Sequence, residues 1–128
     1  MIRTVKPKRP INLKLTTFAY PPMAIASILH RLSGILLFVL LPFIFYILSL
    51  SLGSADSFRH LQEMFCCPLP KITVWLFGSA LTYHSFAGIR HMIADLGWGE
   101  TVQVARWSAY LVMILTVLSI LFLGMLIW

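Results

Sequence analysis

Tyr83-His84-Ser85-Phe86-Ala87-Gly88-Ile89-Arg90-His91 sets an imidazole deep within an otherwise apolar segment that begins near Ile72. Upstream, Val74-Trp75-Leu76-Phe77-Gly78-Ser79-Ala80-Leu81 contains no ionisable side chain. Such a segment predicts a transmembrane helix, because about 20 apolar residues rising ~1.5 Å each cross the ~30 Å hydrocarbon core. An imidazole is costly to desolvate there, so His84 demands a partner. Neutral imidazole is also a common ligand of haem iron. Gly88, four residues on, shares a helical face with His84 and has no side chain, which leaves room for a flat macrocycle. On this stretch alone a plainer alternative stays open. A lone intramembrane histidine can hydrogen-bond to a neighbouring helix, and a membrane-helix glycine more often marks close packing.

Composition widens the membrane reading to the whole chain. Hydrophobic residues make up 59% and charged residues 11% of the 128 positions, far from the roughly one-quarter charged content of soluble domains. The net charge of +6 comes with basic residues gathered at the start, Arg3, Lys6, Lys8, Arg9 and Lys14. In a membrane protein that asymmetry signals topology, and no basic-aromatic recognition module accompanies it, so nucleic acid is not an expected partner. Cys66 and Cys67 are adjacent, a spacing that suits neither a relaxed structural disulfide nor a zinc or iron–sulfur site. Pro7 and Pro10 interrupt the basic stretch, and no short apolar core with a small-residue cleavage site follows. The chain is therefore expected to be used as translated, as a multi-pass protein of a bacterial inner (cytoplasmic) membrane.

Taken in order, the sequence predicts one all-α membrane domain over 1–128. Residues 1–22 form a basic cytoplasmic arm, and transmembrane helices cover 23–52, 71–92 and 106–128. Pro21-Pro22 suits a helix start. The first helix spans roughly 45 Å, more than the hydrocarbon core, so its first turns reach the interfacial layer. Residues 53–70 are expected to form a polar loop with Arg59, His60 and Glu63 solvated. Asp95-Leu96-Gly97-Trp98-Gly99-Glu100 makes a short connection broken by two glycines. With the N-terminus cytoplasmic, Arg3, Lys6, Lys8, Arg9, Lys14, Arg31, Arg90 and Arg106 lie inside and only Arg59 and Lys71 outside, which decides the orientation. Ser27, His30, Arg31, Arg90, His91 and Asp95 then share a cytoplasmic layer, with His84 about 10 Å deeper than His91 by helix rise.

Ser27 and Arg31 are four apart and share a helical face at headgroup depth. A hydroxyl and a guanidinium there can meet the carbonyl of a quinone, or the guanidinium can hold a haem propionate. The plainer alternative is that Arg31 snorkels to lipid phosphates and Ser27 bonds its own backbone. His84 and His91 project the same way and cannot bracket a macrocycle. A second axial ligand must come from another subunit, which implies an obligate hetero-oligomer within a helical bundle. There is no nucleotide-binding glycine loop, cysteine cluster or nucleophile–base pair, so catalysis belongs to partners.

Arg9-Pro10, then Ser27-Ile28-Leu29-His30-Arg31-Leu32-Ser33-Gly34, then His84 through Gly88-Ile89-Arg90-His91 to Asp95, resemble the larger cytochrome b membrane-anchor subunits of succinate dehydrogenase (respiratory complex II) over nearly the whole chain. The resemblance implies that His84 is an axial ligand of haem b, with the other axial histidine on the smaller membrane-anchor subunit. It places His30 and Arg31 near the propionates, Ser27 and Arg31 in the ubiquinone pocket, and Asp95 near that pocket's cytoplasmic mouth. It implies flavoprotein and iron–sulfur subunits as further partners, passing electrons from succinate to quinone. Two alternatives stand beside it. One is the anchor of a quinol–fumarate reductase; the other is a non-redox scaffold or transporter component. A transporter is expected to carry acidic residues or broken helices near the midplane, and all four acids here lie in loops or at helix ends.

Overall fold

The computed structural model describes residues 21–99 and 101–128, so the predicted arm over 1–20 and Glu100 lie outside the described residues. Four helices account for nearly everything else: α1 Pro22–Gly53, α2 Ala55–Met64, α3 Pro68–Asp95 and α4 Val102–Ile127. Among the described residues there is no strand.

Local chemistry sets the ends of these elements. Prolines occupy the first turns of α1 and α3, where a missing N–H costs nothing. Pro42 lies inside α1 without ending it. Thr101 caps α4, its side chain accepting from the Val104 N–H at 3.3 Å. Gly97 and Gly99, both at φ 79°, turn the chain from α3 into α4 through a left-handed conformation that other residues resist. Each long helix outruns its predicted span, α4 by about a turn at its start.

The polar loop expected over 53–70 is instead largely helical. Ser54 and Ser57 form a reciprocal capping box: Ser54 Oγ accepts from the Ser57 N–H at 3.1 Å, and Ser57 Oγ from the Ser54 N–H at 2.8 Å. Asp56 sits in the first turn of α2, where a carboxylate favours the helix dipole. Ser57 Oγ also donates to the Leu50 carbonyl at 2.8 Å, and Leu61 is buried, so α2 folds back against α1. Arg59, His60 and Glu63 are exposed as expected. So are the free thiols of Cys66 and Cys67.

α1 and α4 are each long and apolar enough to cross a membrane. α3 reaches that standard only together with α2, across a 93° bend, because Lys71, His84, Arg90 and His91 reduce its own hydropathy. Its 28 residues nonetheless rise ~42 Å. The helices meet through small residues. Ala26, Ala80, Ala87 and Ala109 are all buried, which lets backbones approach without a hydrophobic driving force in lipid. Contacts of residue 34 with 84 and 88 with 30 make α1 and α3 antiparallel, and those of 78 with 123 and 90 with 105 do the same for α3 and α4. A buried cluster of Tyr83, Ala87 and Val112, with Phe86 against it, packs α3 against α4. Outward positions are apolar and open, Phe38 being 78% exposed, as lipid or partner helices require.

Candidate functional site

Three imidazoles converge where α1 meets α3. The rings of His30 and His84 stack with centroids 4.1 Å apart and planes 17° from parallel. His91 lies tilted against His30 at 5.3 Å. Two absent side chains make the stack possible. A Cβ on Gly34 would stand 3.1 Å from His84 Cε1, and one on Gly88 would stand 3.5 Å from His30 Nε2. The gap that Gly88 was expected to leave for a macrocycle thus receives the His30 ring.

His84 is held at its Nδ1 edge. That nitrogen lies 3.1 Å from Ser33 Oγ and 3.2 Å from the His30 carbonyl oxygen. Ser33 is buried, and its hydroxyl donates to the same His30 carbonyl at 2.8 Å. Stacking covers the face of the His84 ring, whereas a nitrogen lone pair lies in the ring plane, so the Nε2 edge is not blocked by His30. His30 Nε2 is buried with no hydrogen-bond partner among the described residues, which is uncommon for a buried polar atom. Nearby, Tyr83 Oη donates to the Ala26 carbonyl at 2.8 Å and fastens α3 to the start of α1.

Two features differ from expectation. His30 lies opposite Gly88, about one turn above His84 rather than two, and its ring reaches His84, because the slide of α1 along α3 is set by close packing and not by either helix's own rise. Arg90 does not join the histidines. Its Nε donates to Ser108 Oγ at 2.9 Å and its Nη2 to the Ala105 carbonyl at 3.0 Å, which binds α3 to α4. It lines a cavity of about 440 Å³ between those helices, walled by apolar side chains including Phe86, Trp98 and Leu111.

Of the predicted site residues, the structure brings His30 and His84 into contact. Ser27 is half-buried on α1, one turn before Arg31. Arg31 and Asp95 are exposed, with no hydrogen bond or ion pair among the described residues. No group of three or more His, Cys, Asp or Glu there converges as a metal centre. The cluster suits a group that asks one nitrogen of the chain, and a haem iron does. Sequence reasoning passed over Ser33, although it sits in the same run as His30 and precedes the seam glycine Gly34.

Long apolar helices joined by a histidine-lined seam define a helical membrane subunit. The family described as succinate dehydrogenase/fumarate reductase transmembrane subunit matches residues 5–123. The succinate dehydrogenase cytochrome b556 subunit of Coxiella burnetii is 47% identical over 122 residues, 94% of this chain and 98% of that protein. That of Rickettsia typhi is 33% identical over 121 residues, 94% of this chain and 91% of its own length. The mitochondrial cytochrome b560 subunit of Sus scrofa is 37% identical over 114 residues, covering 87% and 67%. The chain belongs to the succinate dehydrogenase/fumarate reductase transmembrane-subunit family.

Proposed function

We propose that this chain is the larger haem b anchor of succinate dehydrogenase, with His84 as an axial ligand through Nε2. The observation that carries the proposal is the hold on His84: α1 occupies the Nδ1 edge and leaves the other nitrogen for coordination. The orphaned His30 Nε2 fits the same reading, as a donor or acceptor for a polar substituent of the bound group. Haem b bound there supplies a one-electron carrier within the membrane. The second axial histidine comes from the smaller anchor subunit, and flavoprotein and iron–sulfur subunits complete the assembly. Three helices, α1, α3 and α4, cross a bacterial inner membrane with the N-terminus cytoplasmic, an orientation supported by the distribution of basic residues.

Ser27 and Arg31 form the chain's share of a ubiquinone-reduction site. The hydroxyl and guanidinium hydrogen-bond the quinone carbonyl, and Arg31 places positive charge where negative charge develops on the oxygen as electrons arrive. Its exposure matches a pocket completed by other subunits. Asp95, exposed at the end of α3, stands near the cytoplasmic mouth. The relatives cited above all carry succinate dehydrogenase names, which supports the succinate-to-quinone direction.

The test is a reduced-minus-oxidised visible spectrum of the purified complex, wild type against His84→Leu, with quinone reduction measured for Arg31→Leu. Loss of the b-type signal in the first variant is expected. In the second, quinone reduction falls at least tenfold while dye-linked succinate oxidation persists. An unchanged spectrum in a fully assembled His84→Leu complex removes His84 as ligand.

A further inference from the structure

We infer that Ser33 is a positioning residue for His84: together with the His30 carbonyl it fixes the ring tautomer, and its own contact helps to aim Nε2. This rests on the reading of His84 as a haem ligand, and the reason is proton accounting. A serine hydroxyl has one proton to give. Ser33 gives it to the His30 carbonyl at 2.8 Å, the shortest contact in the group. Toward His84 Nδ1, at 3.1 Å, the same oxygen can only accept. The second neighbour of that nitrogen, the His30 carbonyl oxygen at 3.2 Å, has no proton at all. With two acceptors facing it, Nδ1 must carry the ring proton, and Nε2 is left with its lone pair.

The opposite tautomer fails on the same distances. A bare Nδ1 would set its lone pair against the carbonyl lone pairs at 3.2 Å, and Ser33 would have to abandon its 2.8 Å bond to donate instead. Ser33 is 8% exposed, so water does not readily replace it. Two acceptors on one N–H also draw the proton outward and enrich the ring, which strengthens Nε2 as a donor to metal. Gly34 completes the seat, because a side chain there would push the ring from the edge that Ser33 grips. A serine that merely bonded back within its own helix would need only the His30 carbonyl. The contact to a residue 51 positions away is the part that acts on the ligand.

The experiment compares Ser33→Ala, Ser33→Cys and Ser33→Thr in the complex purified with its partner subunits. Haem per complex, haem transfer to apomyoglobin and the haem midpoint potential are read in each. Ser33→Ala is expected to release haem on the order of tenfold more readily. Its midpoint shifts positive, since a less electron-rich imidazole favours the oxidised iron less. Ser33→Cys, similar in size but a poor acceptor, moves the midpoint the same way and decides the question should the alanine variant fail to assemble. Ser33→Thr keeps the hydroxyl and returns both readouts toward wild type. A wild-type midpoint and wild-type haem retention in Ser33→Ala, or a wild-type midpoint in Ser33→Cys, overturns the inference. His84→Leu run alongside separates the two ideas. If it loses the haem signal while Ser33 variants are silent, only the positioning role fails. If it keeps the signal, the ligand assignment itself fails.

Discussion

The seam between α1 and α3 and the seam between α3 and α4 are made from similar parts: antiparallel helices, small residues at the crossing, a glycine under a side chain and polar groups inside. They differ in how those polar groups are spent. Along α3–α4, Arg90 gives to Ser108 and Ala105, Trp75 Nε1 gives to the Ile120 carbonyl at 3.0 Å, and Thr116 bonds back to Val112 at 2.8 Å. Each polar group there serves to hold two helices or one turn together. Along α1–α3, His30 Nε2 has no partner among the described residues, and His84 is gripped at one nitrogen only. A buried polar atom left over costs about 1–3 kcal/mol, and on the function proposed above the α1–α3 seam keeps one for the group that joins it. On that reading the α3–α4 seam is a fastening, and the α1–α3 seam, although Tyr83 also fastens it to Ala26, is a receptacle.

The strongest way to break that distinction is to cut one polar anchor in each seam. His84→Leu is expected to abolish the haem signal. Arg90→Met removes charge-assisted hydrogen bonds of a half-buried side chain and is expected to lower stability by about 1.5–3 kcal/mol. The spectrum of the Arg90→Met complex stays in place. Thermal unfolding of each purified complex, followed at the haem band and by circular dichroism, checks both halves. A haem band displaced in Arg90→Met would erase the division of labour.

A finer cut uses the same substitution in both seams. A Cβ on Gly34 meets His84 Cε1 at 3.1 Å, and one on Gly78 meets Leu123 Cδ1 at 3.2 Å. The clash is nearly equal, but the neighbours are not. Leu123 ends in a methyl group that can rotate aside, while the His84 ring is fixed by Ser33 and His30. Gly34→Ala is therefore expected to loosen haem retention on the order of tenfold. Gly78→Ala is expected to be neutral or to stabilise by up to about 1 kcal/mol, by removing glycine's conformational cost in a helix. Haem transfer to apomyoglobin and thermal midpoints measure the pair.

How far the sequence discloses this molecule depends on what each feature is made of. α1 and α4 announce themselves as apolar runs, α3 only over residues 72–83, and His84 stands out because an ionisable group at the end of such a run has few innocent explanations. α2 hides because its cap uses Ser57 where glutamate or glutamine is the usual sign, and its few apolar residues look like loop. The relation of His30 to His84 is invisible from either helix alone, since periodicity gives a face and a depth but not how far one helix slides along another. Ser33 is hidden for a related reason, because a helical serine ordinarily bonds back to its own turn and only the partner helix reveals a second contact. Arg90 was grouped with the cytoplasmic cations by depth, and its real partners lie on α4. The family resemblance supplied roles for Ser27, Arg31 and Asp95 that the geometry of one chain leaves to other subunits.

The smallest effect tests whether the fastening seam is truly separate from the receptacle. Trp75 lies near the far end of α3, its indole N–H on the Ile120 carbonyl and its ring edge-on to Trp128 at 6.2 Å. Gly124 leaves the space, since a Cβ there would stand 3.5 Å from Trp75 Nε1. Trp75→Phe keeps an aromatic ring but removes the donor. The Ile120 carbonyl lies inside α4 and retains its helical partner, so no acceptor is orphaned and the cost falls toward the low end of about 0.5–1.5 kcal/mol. The expected result is a slightly lower thermal midpoint with haem content, spectrum and midpoint potential unchanged. A shifted potential would mean that strain at one end of α3 travels to His84, roughly 14 Å along the helix, and that the two seams act as one.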